Sequence, residues 1–191
     1  MREDRLEWDQ KHTAGVPVLE GPPSAYLAAW LPYLPNGRAL DLAAGCGRHA
    51  IYLAQHGYRV DALDISLVAL SRLAHQAQAQ KLPVRAAAVD LDDVMLPWAT
   101  YDLIINSYYL NRALLPQLAL ALVPGGAVLV ETPLYDPAVD YPSEIAHRVG
   151  PRELARVFSD LRIAHYEEVP ASPPHKKRAL CRMVAFRSPF R

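Results

Sequence analysis

A glycine turn between an apolar run and a helix constrains this chain more than any other stretch. The run 39–43 is apolar apart from Asp41, and Gly45 and Gly47 follow it closely. Neither glycine carries a Cβ, so the backbone can turn sharply there and a ligand can approach. A helix that begins near Arg48 would direct its free N–H groups towards that ligand. The stretch therefore predicts a buried strand, a ligand-binding turn and a helix.

A second strand with an acidic tip indicates a nucleoside ligand. The run 59–64 ends at Asp64, and a carboxylate in that place accepts hydrogen bonds from ribose hydroxyls. The pattern Gly45-x-Gly47-x-x-Ala50 fits the dinucleotide fingerprint in its Gly/Ala form, and it also fits the looser turn of S-adenosylmethionine enzymes. The alternative is structural: the glycines end a strand and Asp64 caps the next helix.

Apolar strands alternate with helices through the middle of the chain, and this alternation is typical of a parallel sheet covered on both faces. Such sheets bind ligands at the carboxyl ends of the strands, where the strand order reverses. Polar residues at or near those ends are Asp41, Asp64, Asp90 and Asn106. The predicted strands are 39–43, 59–64, 84–90, 101–107 and 127–132, and the predicted helices are 48–56, 66–77 and 112–122.

The two ends of the chain differ from this pattern. Residues 24–34 and 151–159 have the spacing of helices. The runs 161–169 and 178–187 are strand-like and are joined without a helix, which predicts a hairpin with a long proline-rich loop. The stretch around Trp8, Asp9 and His12 is either a lid over the ligand or an N-terminal arm.

Composition limits the function classes. Twenty basic and twenty acidic residues give zero net charge, so nothing favours a nucleic-acid backbone as partner. Cys46 and Cys181 form no disulfide framework, and the charged residues 1–8 contain no signal core; we expect a cytoplasmic protein. The uncharged stretch 113–130 is interrupted by prolines and glycines, so we expect no membrane span. No residue spacing indicates a metal site.

The arrangement resembles the class I S-adenosylmethionine-dependent methyltransferases. The run 108–112, Tyr-Tyr-Leu-Asn-Arg, makes it most similar to the small bacterial enzymes of the tellurite-resistance and thiopurine type. The matching stretches are Leu40-Asp41-Leu42-Ala43-Ala44-Gly45-Cys46-Gly47-Arg48, Val60-Asp61-Ala62-Leu63-Asp64-Ile65-Ser66, Val89-Asp90-Leu91, Tyr101-Asp102-Leu103-Ile104-Ile105-Asn106 and Val123-Pro124-Gly125-Gly126.

The resemblance implies an α/β fold: a doubly wound, mostly parallel, seven-stranded Rossmann-like sheet with an antiparallel C-terminal hairpin. It implies one methyltransferase domain over residues 1–191. In that domain, residues 1–37 are an N-terminal arm and helix, and residues 38–132 are the cofactor-binding core. Residues 133–191 supply the acceptor-side loop and the hairpin.

The resemblance also implies S-adenosylmethionine as the cofactor. Asp41 would lie near the methionine amino group. Ala43, Gly45 and Gly47 would form the floor of the site, with Cys46 beside the cofactor. The family has a glycine where this chain has Ala43, and we expect the small methyl group to leave binding possible.

The nucleoside half of the cofactor is assigned in the same way. Asp64 would accept from the ribose hydroxyls, and Ile65 belongs to the same binding set. Asp90 would accept from the adenine amino group, while Leu91 packs beside the ring. Asn106 would lie beside the methionine part and the sulfonium.

The implied reaction is methyl transfer to a small-molecule acceptor by in-line displacement, which gives S-adenosylhomocysteine. The protein must align the reactants and exclude water, and it needs a general base only for a protonated acceptor. Arg112 would either hold an anionic acceptor or pair with an acid. His49 is expected at the surface of its helix. Candidate acceptor-side residues are Tyr108 and Arg112, followed by Tyr109, His49, Tyr135 and His147.

Two other interpretations stay open: an NAD(P)-dependent reductase and a non-catalytic S-adenosylmethionine-binding protein. The reductase is disfavoured because residues 1–38 precede the first strand and no Tyr-x-x-x-Lys pair is present. The run 106–109 lacks the Asn-Pro-Pro-aromatic motif of amino-group methyltransferases that act on nucleic acids and proteins. The expected partner is therefore a small molecule, with no nucleic acid and no membrane. Its identity and the oligomeric state stay open.

Overall fold

The computed structural model describes residues 2–14, 21–138, 146–171 and 178–189. Within these residues seven strands form one sheet. In chain order the strands are β1 (Arg38–Leu42), β2 (Arg59–Asp64), β3 (Val84–Ala88), β4 (Tyr101–Ser107), β5 (Leu122–Pro133), β6 (Arg162–Val169) and β7 (Leu180–Phe186).

The α-helices of the same ranges are short, and serine side chains cap two of them. Ser24 accepts from the N–H of Leu27, and Ser66 accepts from the N–H of Ala69. In chain order the helices are α1 (Arg2–Thr13), α2 (Ala25–Trp30), α3 (Arg48–Gln55), α4 (Leu67–Ala79), α5 (Leu115–Ala121) and α6 (Glu153–Val157).

The strand order is β3-β2-β1-β4-β5-β7-β6. The first five strands of this order run parallel, and β7 lies antiparallel between β5 and β6. This confirms the predicted mostly parallel sheet with its antiparallel C-terminal hairpin. The order reverses between β1 and β4, so the crevice outside the carboxyl ends of these two strands is where a ligand is expected.

Two apolar clusters cover the two faces of the sheet. One joins α2, α3 and α4 to side chains such as Ile105 and Leu129. The other joins α5 and α6 to alternate side chains of the same strands, such as Ile104 and Val130. Strands buried on both faces explain the continuous apolar runs in the sequence.

Several predicted bounds were wrong, for local reasons. The helix predicted over 24–34 ends at Trp30 and continues as a 3-10 turn over Leu31–Tyr33, because Pro32 has no N–H to donate. The helix predicted over 112–122 begins only at Leu115. The Asn111 side chain caps the turn before it by accepting from the N–H groups of Ala113 and Leu114.

The other ends also shifted. The strand predicted to reach Asp90 ends at Ala88, and the helix predicted over 151–159 covers only Glu153–Val157. The Pro-Gly-Gly sequence is not a turn before β5 but lies inside that strand, as a register shift with Gly125 at φ +83°. Most of the proline-rich connection lies outside the described residues.

Candidate active site

The carboxyl ends of β1 and β4 lie side by side where the strand order reverses. Leu42 pairs with Asn106 in the parallel register of these strands, and Asp41 precedes Leu42. Asp41 and Asn106 are both buried. The two residues that the resemblance assigned to the methionine end of the cofactor therefore both lie at the ligand-binding edge of the sheet, on adjacent strands, although Asp41 pairs with Ile105 rather than with Asn106.

The turn after β1 contains three residues in the left-handed region: φ is +51° at Ala43, +53° at Gly45 and +83° at Gly47. This conformation costs a residue with a Cβ about 1–2 kcal/mol, so Ala43 is strained where a glycine would not be. A Cβ on Gly47 would lie 2.1 Å from Leu73 Cδ1 in α4. Gly47 is thus required for helix packing, a role that its spacing in the sequence does not indicate.

Asp64 stabilises this turn through its carboxylate. Oδ2 accepts from the N–H of Gly45 at 2.7 Å, and Oδ1 accepts from the N–H of Ser66 at 2.8 Å. Ile65, between Asp64 and Ser66 in the chain, is partly buried. Each carboxylate oxygen has a second lone pair, so Asp64 can hold the turn and still accept from a ligand. Its contact with ribose stays a prediction.

Burial changes the acid strength of Asp41. The residue is 1% exposed, and desolvation raises its pKa to about 7. The charge of Asp64 also raises this pKa, whereas a backbone hydrogen bond from Ala50 and the charge of Arg48 lower it. A ligand cation beside the carboxyl group would favour its charged form.

Buried polar atoms without a hydrogen-bond partner gather at the carboxyl ends of β1, β4 and β5. Nearly all buried polar groups in folded proteins are bonded, and a ligand or ordered water commonly completes those that are not. Within the described residues, the unpartnered atoms at these strand ends are Asp41 Oδ2, Asn106 Oδ1, Ser107 Oγ, Glu131 Oε2 and Thr132 Oγ1.

The loop after β3 carries the residues predicted at the adenine ring. Leu91 is buried, and Asp90 accepts from the N–H of Asp92 at 3.0 Å. The hydroxyl of Tyr109 and the amide of Asn111 both donate to Asp92 Oδ1, at 3.3 and 2.8 Å. Tyr109, a candidate acceptor-side residue, is therefore used to hold this loop.

Helix α1 lies across the glycine turn and the start of α4. Asp9 Oδ1 accepts from the hydroxyl of Ser66 at 2.6 Å and from a backbone N–H of α4 at 3.1 Å. His12 is 4% exposed, and its Nδ1 lies 3.7 Å from Cys46 Sγ. Its Cε1 is 3.5 Å from the position that a Cβ on Gly45 would take. The stretch predicted as a lid or an arm is thus a helix packed over the turn.

Tyr108 lies directly after β4 with a left-handed backbone, φ +59°. The residue is 48% exposed, and its N–H donates to the carbonyl of Glu131 at 2.8 Å. The Arg48 guanidinium lies 6.0 Å from the ring centroid. Burial raises the pKa of the Tyr108 hydroxyl, and the charge of Glu131 raises it further. The hydroxyl is therefore neutral at physiological pH and can exchange hydrogen bonds with a ligand.

Arg112 is bonded within the protein. Its Nε and Nη2 donate to the two carboxylate oxygens of Glu153 at 2.7 and 3.1 Å. Nη1 donates to the carbonyl of Ala146 at 3.0 Å, and Nη2 to that of Arg148 at 2.9 Å. Of the two roles expected for Arg112, the structure shows the pairing with an acid. A role in holding an anionic acceptor is not supported.

The expectation that His49 lies at the surface was wrong, since it is 4% exposed. Its Nε2 accepts from the N–H of Ser24 at 3.2 Å, which ties α3 to the start of α2. Burial, and then the charge of Arg48, lower its pKa to about 3, so the ring stays neutral. Tyr135 donates through its backbone N–H to a carbonyl at 2.8 Å, and His147 is exposed.

Sequence reasoning missed a row of ion pairs beside the switch point. Glu131 in β5 is 2% exposed, and its Oε1 accepts from Arg182 Nε at 2.8 Å. Arg182 Nη1 donates to Glu167 Oε1 at 3.0 Å. One signal was available: Glu131 is the single charged residue of the stretch 113–135.

A cavity of about 780 Å³ lies between α3, α4 and residues 21–23, beside Cys46 and Arg48. Its lining contains neither Asp41 nor Asn106, so it is separate from the switch point. In the described ranges, no three His, Cys, Asp or Glu side chains are arranged to hold a metal ion. No helix in those ranges is long and apolar enough to cross a membrane.

Comparison with known proteins adds to this geometry. Residues 39–126 match the family model of a methyltransferase domain. Hemagglutinin 1 of Eikenella corrodens is 29% identical over 140 residues, which are 69% of this chain and 46% of that protein. The S-adenosyl-L-methionine-dependent Diels-Alderase iccD of Talaromyces variabilis is 31% identical over 109 residues, covering 52% and 37% of the two chains.

A named methyltransferase is also similar: the ribosomal protein L11 methyltransferase of Thermus thermophilus is 33% identical over 107 residues, covering 54% of this chain and 41% of that protein. The chain thus spans less than half the length of these three relatives. Among solved structures, TehB from Haemophilus influenzae superposes with a TM-score of 0.72 at 20% identity. The superposition covers 87% of this chain and 63% of the TehB chain, which shows that the two folds are similar.

Proposed function

We propose that this chain, which carries a class I S-adenosylmethionine-dependent methyltransferase domain, transfers a methyl group from S-adenosylmethionine to a small-molecule acceptor. The activity of the protein as a whole is part of this proposal, because each matched relative is more than twice as long as the part that aligns with this chain. It also treats residues 1–191 as one unit: an arm over 1–37, a cofactor core over 38–132 and an acceptor side over 133–191.

The observation that carries the proposal is the pair of unpartnered oxygens at the β1–β4 switch point. Asp41 Oδ2, when ionised, and Asn106 Oδ1 can only accept hydrogen bonds. A ligand that fits them brings N–H donors and positive charge, as the ammonium group and the sulfonium of S-adenosylmethionine do. A dinucleotide would bring its pyrophosphate to this turn, where the carboxylate of Asp41 disfavours it.

The nucleoside end fits the same cofactor. Asp64 keeps a free lone pair on each oxygen beside the glycine turn, and these can accept from the ribose hydroxyls. Asp90 and Leu91 follow β3 at the same edge of the sheet. In this proposal Leu91 packs against the adenine ring and Asp90 accepts from its amino group.

When bound, S-adenosylmethionine supplies a methyl group on a sulfonium, which is already activated for transfer. The residues of the chain then have to orient the two reactants and exclude water. Helix α1 covers the turn through Asp9 and His12, so it supports the exclusion of water. The half-exposed ring of Tyr108 borders the acceptor side.

A second candidate function keeps S-adenosylmethionine bound but does not consume it. The relative named as an S-adenosyl-L-methionine-dependent Diels-Alderase favours this candidate. The same cofactor residues would serve, and the acceptor side would hold a substrate that rearranges. Formation of S-adenosylhomocysteine during turnover distinguishes methyl transfer from this candidate.

The cofactor is tested by calorimetric titration of the full chain with S-adenosylhomocysteine, S-adenosylmethionine and NADPH in parallel. We expect micromolar binding of the two sulfur compounds and none of NADPH. Asp41→Asn should weaken the binding of both sulfur compounds, whereas Asp160→Asn, an exposed matched control, should not. Binding of NADPH alone would overturn the proposal and support a reductase.

A further inference from the structure

Four neighbouring strands each place one polar side chain at the same level of the sheet. Ser107 on β4 pairs with Glu131 on β5, Glu131 pairs with Arg182 on β7, and Arg182 pairs with Glu167 on β6. Directly opposed residues of paired strands point to the same face. The four side chains therefore form one continuous row, which we call the β5 row.

The β5 row runs from a buried end to an exposed end. Glu167 and Arg182 are partly exposed, whereas Glu131 and its Oε2 are buried. Arg182 bonds one oxygen of each glutamate, at 2.8 Å to Glu131 and 3.0 Å to Glu167. Within the described residues, Glu131 Oε2 and the neighbouring Ser107 Oγ have no partner. The unsatisfied atoms thus lie at the end of the row nearest to β4.

A buried carboxylate oxygen without a partner is costly, because it has lost water and gained nothing in return. The charged and titratable groups around the β5 row come from several elements. The charge of Glu131 raises the pKa of Tyr26 on α2 and of Tyr108 after β4, and Glu167 on β6 shares Arg182 with Glu131. The Tyr26 hydroxyl lies 2.9 Å from His165 Nδ1, and the Arg182 guanidinium lies 5.4 Å from the Tyr26 ring. None of these groups reaches Glu131 Oε2.

The position of Glu131 connects its unpartnered oxygen to the proposed reaction. The switch point lies between β1 and β4, and β5 is the next strand. Glu131 therefore lies one strand spacing, about 4.8 Å, beyond it. Alternate residues of a strand share a face, so Ser107 points to the same face as Ile105, whose partner on β1 is Asp41. Tyr108 comes next, and its backbone N–H donates to the carbonyl of Glu131 at 2.8 Å.

We propose that Glu131 binds the methyl acceptor and acts as the catalytic base. This proposal rests on the proposed methyl transfer and adds detail to it. Oε2 accepts a hydrogen bond from an N–H, O–H or S–H group of the nucleophile. The nucleophile's lone pair forms the new bond to the methyl carbon, and the carbon–sulfur bond breaks with its electron pair left on sulfur. The nucleophile's proton passes to Oε2. The acceptor class is therefore a neutral, protonated nucleophile rather than an oxyanion.

The variants are Glu131→Gln, which keeps the shape and removes the base, and Glu167→Gln as the matched control. Both side chains bond the same guanidinium, so Glu167→Gln shows what the loss of an ion pair with Arg182 does by itself. Transfer of radiolabelled methyl from S-adenosylmethionine is measured with imidazole, phenol, 2-mercaptoethanol and selenite as probes. Calorimetry with S-adenosylhomocysteine is run on every variant.

We expect the wild type to methylate at least one of the three protonated probes. Glu131→Gln should lower kcat for that probe by about 100-fold or more, the lower end of the usual effect of a general base. Its affinity for S-adenosylhomocysteine should stay within about twofold, since no cofactor contact is assigned to Glu131. Glu167→Gln should leave kcat unchanged. If Glu131→Gln does not fold, Glu131→Asp keeps the charge and should show the same loss, because its oxygens no longer reach.

Three results would overturn the assignment of Glu131. They are methylation of selenite alone or of none of the protonated probes, unchanged kcat in Glu131→Gln, and equal losses in Glu131→Gln and Glu167→Gln. A wild-type chain that does not bind S-adenosylhomocysteine would instead contradict the proposed function itself. Calorimetry therefore distinguishes a wrong assignment of Glu131 from a wrong proposed function.

Discussion

The two sides of the switch point differ in how completely their polar groups are bonded. On the glycine-turn side, formed by β1, β2 and α4, both oxygens of Asp64 accept backbone N–H groups, and Ser66 is bonded to Asp9. On the acceptor side, formed by β4, β5, β7 and β6, Ser107 Oγ and Glu131 Oε2 are buried without partners. The polar groups of the glycine-turn side are thus nearly all hydrogen-bonded within the protein, whereas those of the acceptor side are not.

This difference indicates how the chain divides its work. The proposed cofactor would meet a turn that Asp64 and Ser66 already hold in place, whereas Asp41 Oδ2 and Asn106 Oδ1 would gain partners only when it binds. If Glu131 binds the acceptor as proposed, its Oε2 stays without a partner until the acceptor enters. Asp41, which has an unpartnered oxygen but belongs to β1, lies at the border between the two sides.

The largest effect is expected for Asp41→Asn. The folded-state pKa of Asp41 is raised from 3.8 to about 7, so between these values the folded protein holds a proton that the unfolded chain has released. The wild type should therefore lose stability as pH rises through this window, by up to about 4 kcal/mol. The variant should lack this loss and be the more stable protein at pH 8.

Chemical denaturation of both proteins at pH 5 and pH 8 checks the expectation for Asp41, and about 3 kcal/mol of the loss should fall between these two pH values. S-adenosylhomocysteine should reduce the pH dependence of the wild type, because its ammonium group favours the charged carboxylate. Identical pH dependence in the two proteins would show that Asp41 is not the group that couples folding to protons.

Gly47→Ala should destabilise the turn by about 3 kcal/mol. The new Cβ would meet Leu73 at 2.1 Å, and φ of +83° adds strain. Gly125→Ala is the matched control: its φ is also +83°, but nothing lies within 4 Å of the new Cβ. The control should lose only about 1 kcal/mol in urea denaturation. Equal losses would mean that strain rather than packing governs Gly47.

Asp64→Asn should cost about 1–2 kcal/mol of stability, since one of two backbone N–H groups loses its acceptor. Affinity for S-adenosylhomocysteine should fall by about tenfold or more, because the ribose loses a charge-assisted hydrogen bond. Urea denaturation and calorimetry measure the two effects. A loss of stability with unchanged affinity would leave Asp64 a structural residue of the turn and nothing more.

The smallest effect is expected for Asp9→Ala, which removes the contact of α1 with Ser66 and the start of α4. Stability should fall by about 1 kcal/mol, as for other lost helix caps, and S-adenosylhomocysteine should dissociate faster. Glu7→Ala on the same helix breaks only an exposed pair with Lys11 and serves as control. Stopped-flow dissociation rates that are equal in both variants would argue against α1 as a cover.

Much of the fold was predictable because its signals are local. The alternation of apolar strands with helices, and the serines at positions 24 and 66, act on their own neighbours along the chain. The antiparallel hairpin also followed from two strand-like runs without a helix between them. Errors in the bounds, such as the helix that ends before Pro32, came from single residues that remove or replace a backbone hydrogen bond.

The candidate site was predictable only in part. Glycines and acids at the ends of β1 and β2 were visible because their spacing along the chain reflects one strand–turn–helix unit. The pairing of Arg112 with Glu153 was not, since 41 residues separate the partners. The burial of His49 was also missed, because the side chain bonds to a residue 25 positions earlier.

The sequence by itself determined the order of the elements, the parallel sheet and the turn at the switch point, because hydrophobic periodicity and backbone freedom are properties of short stretches. Tertiary structure alone decided which polar groups meet. Glu131 and Arg182 are 51 residues apart, and only the insertion of β7 beside β5 brings them together. Whether such a group is satisfied depends on packing, burial and distant partners, none of which a local pattern contains.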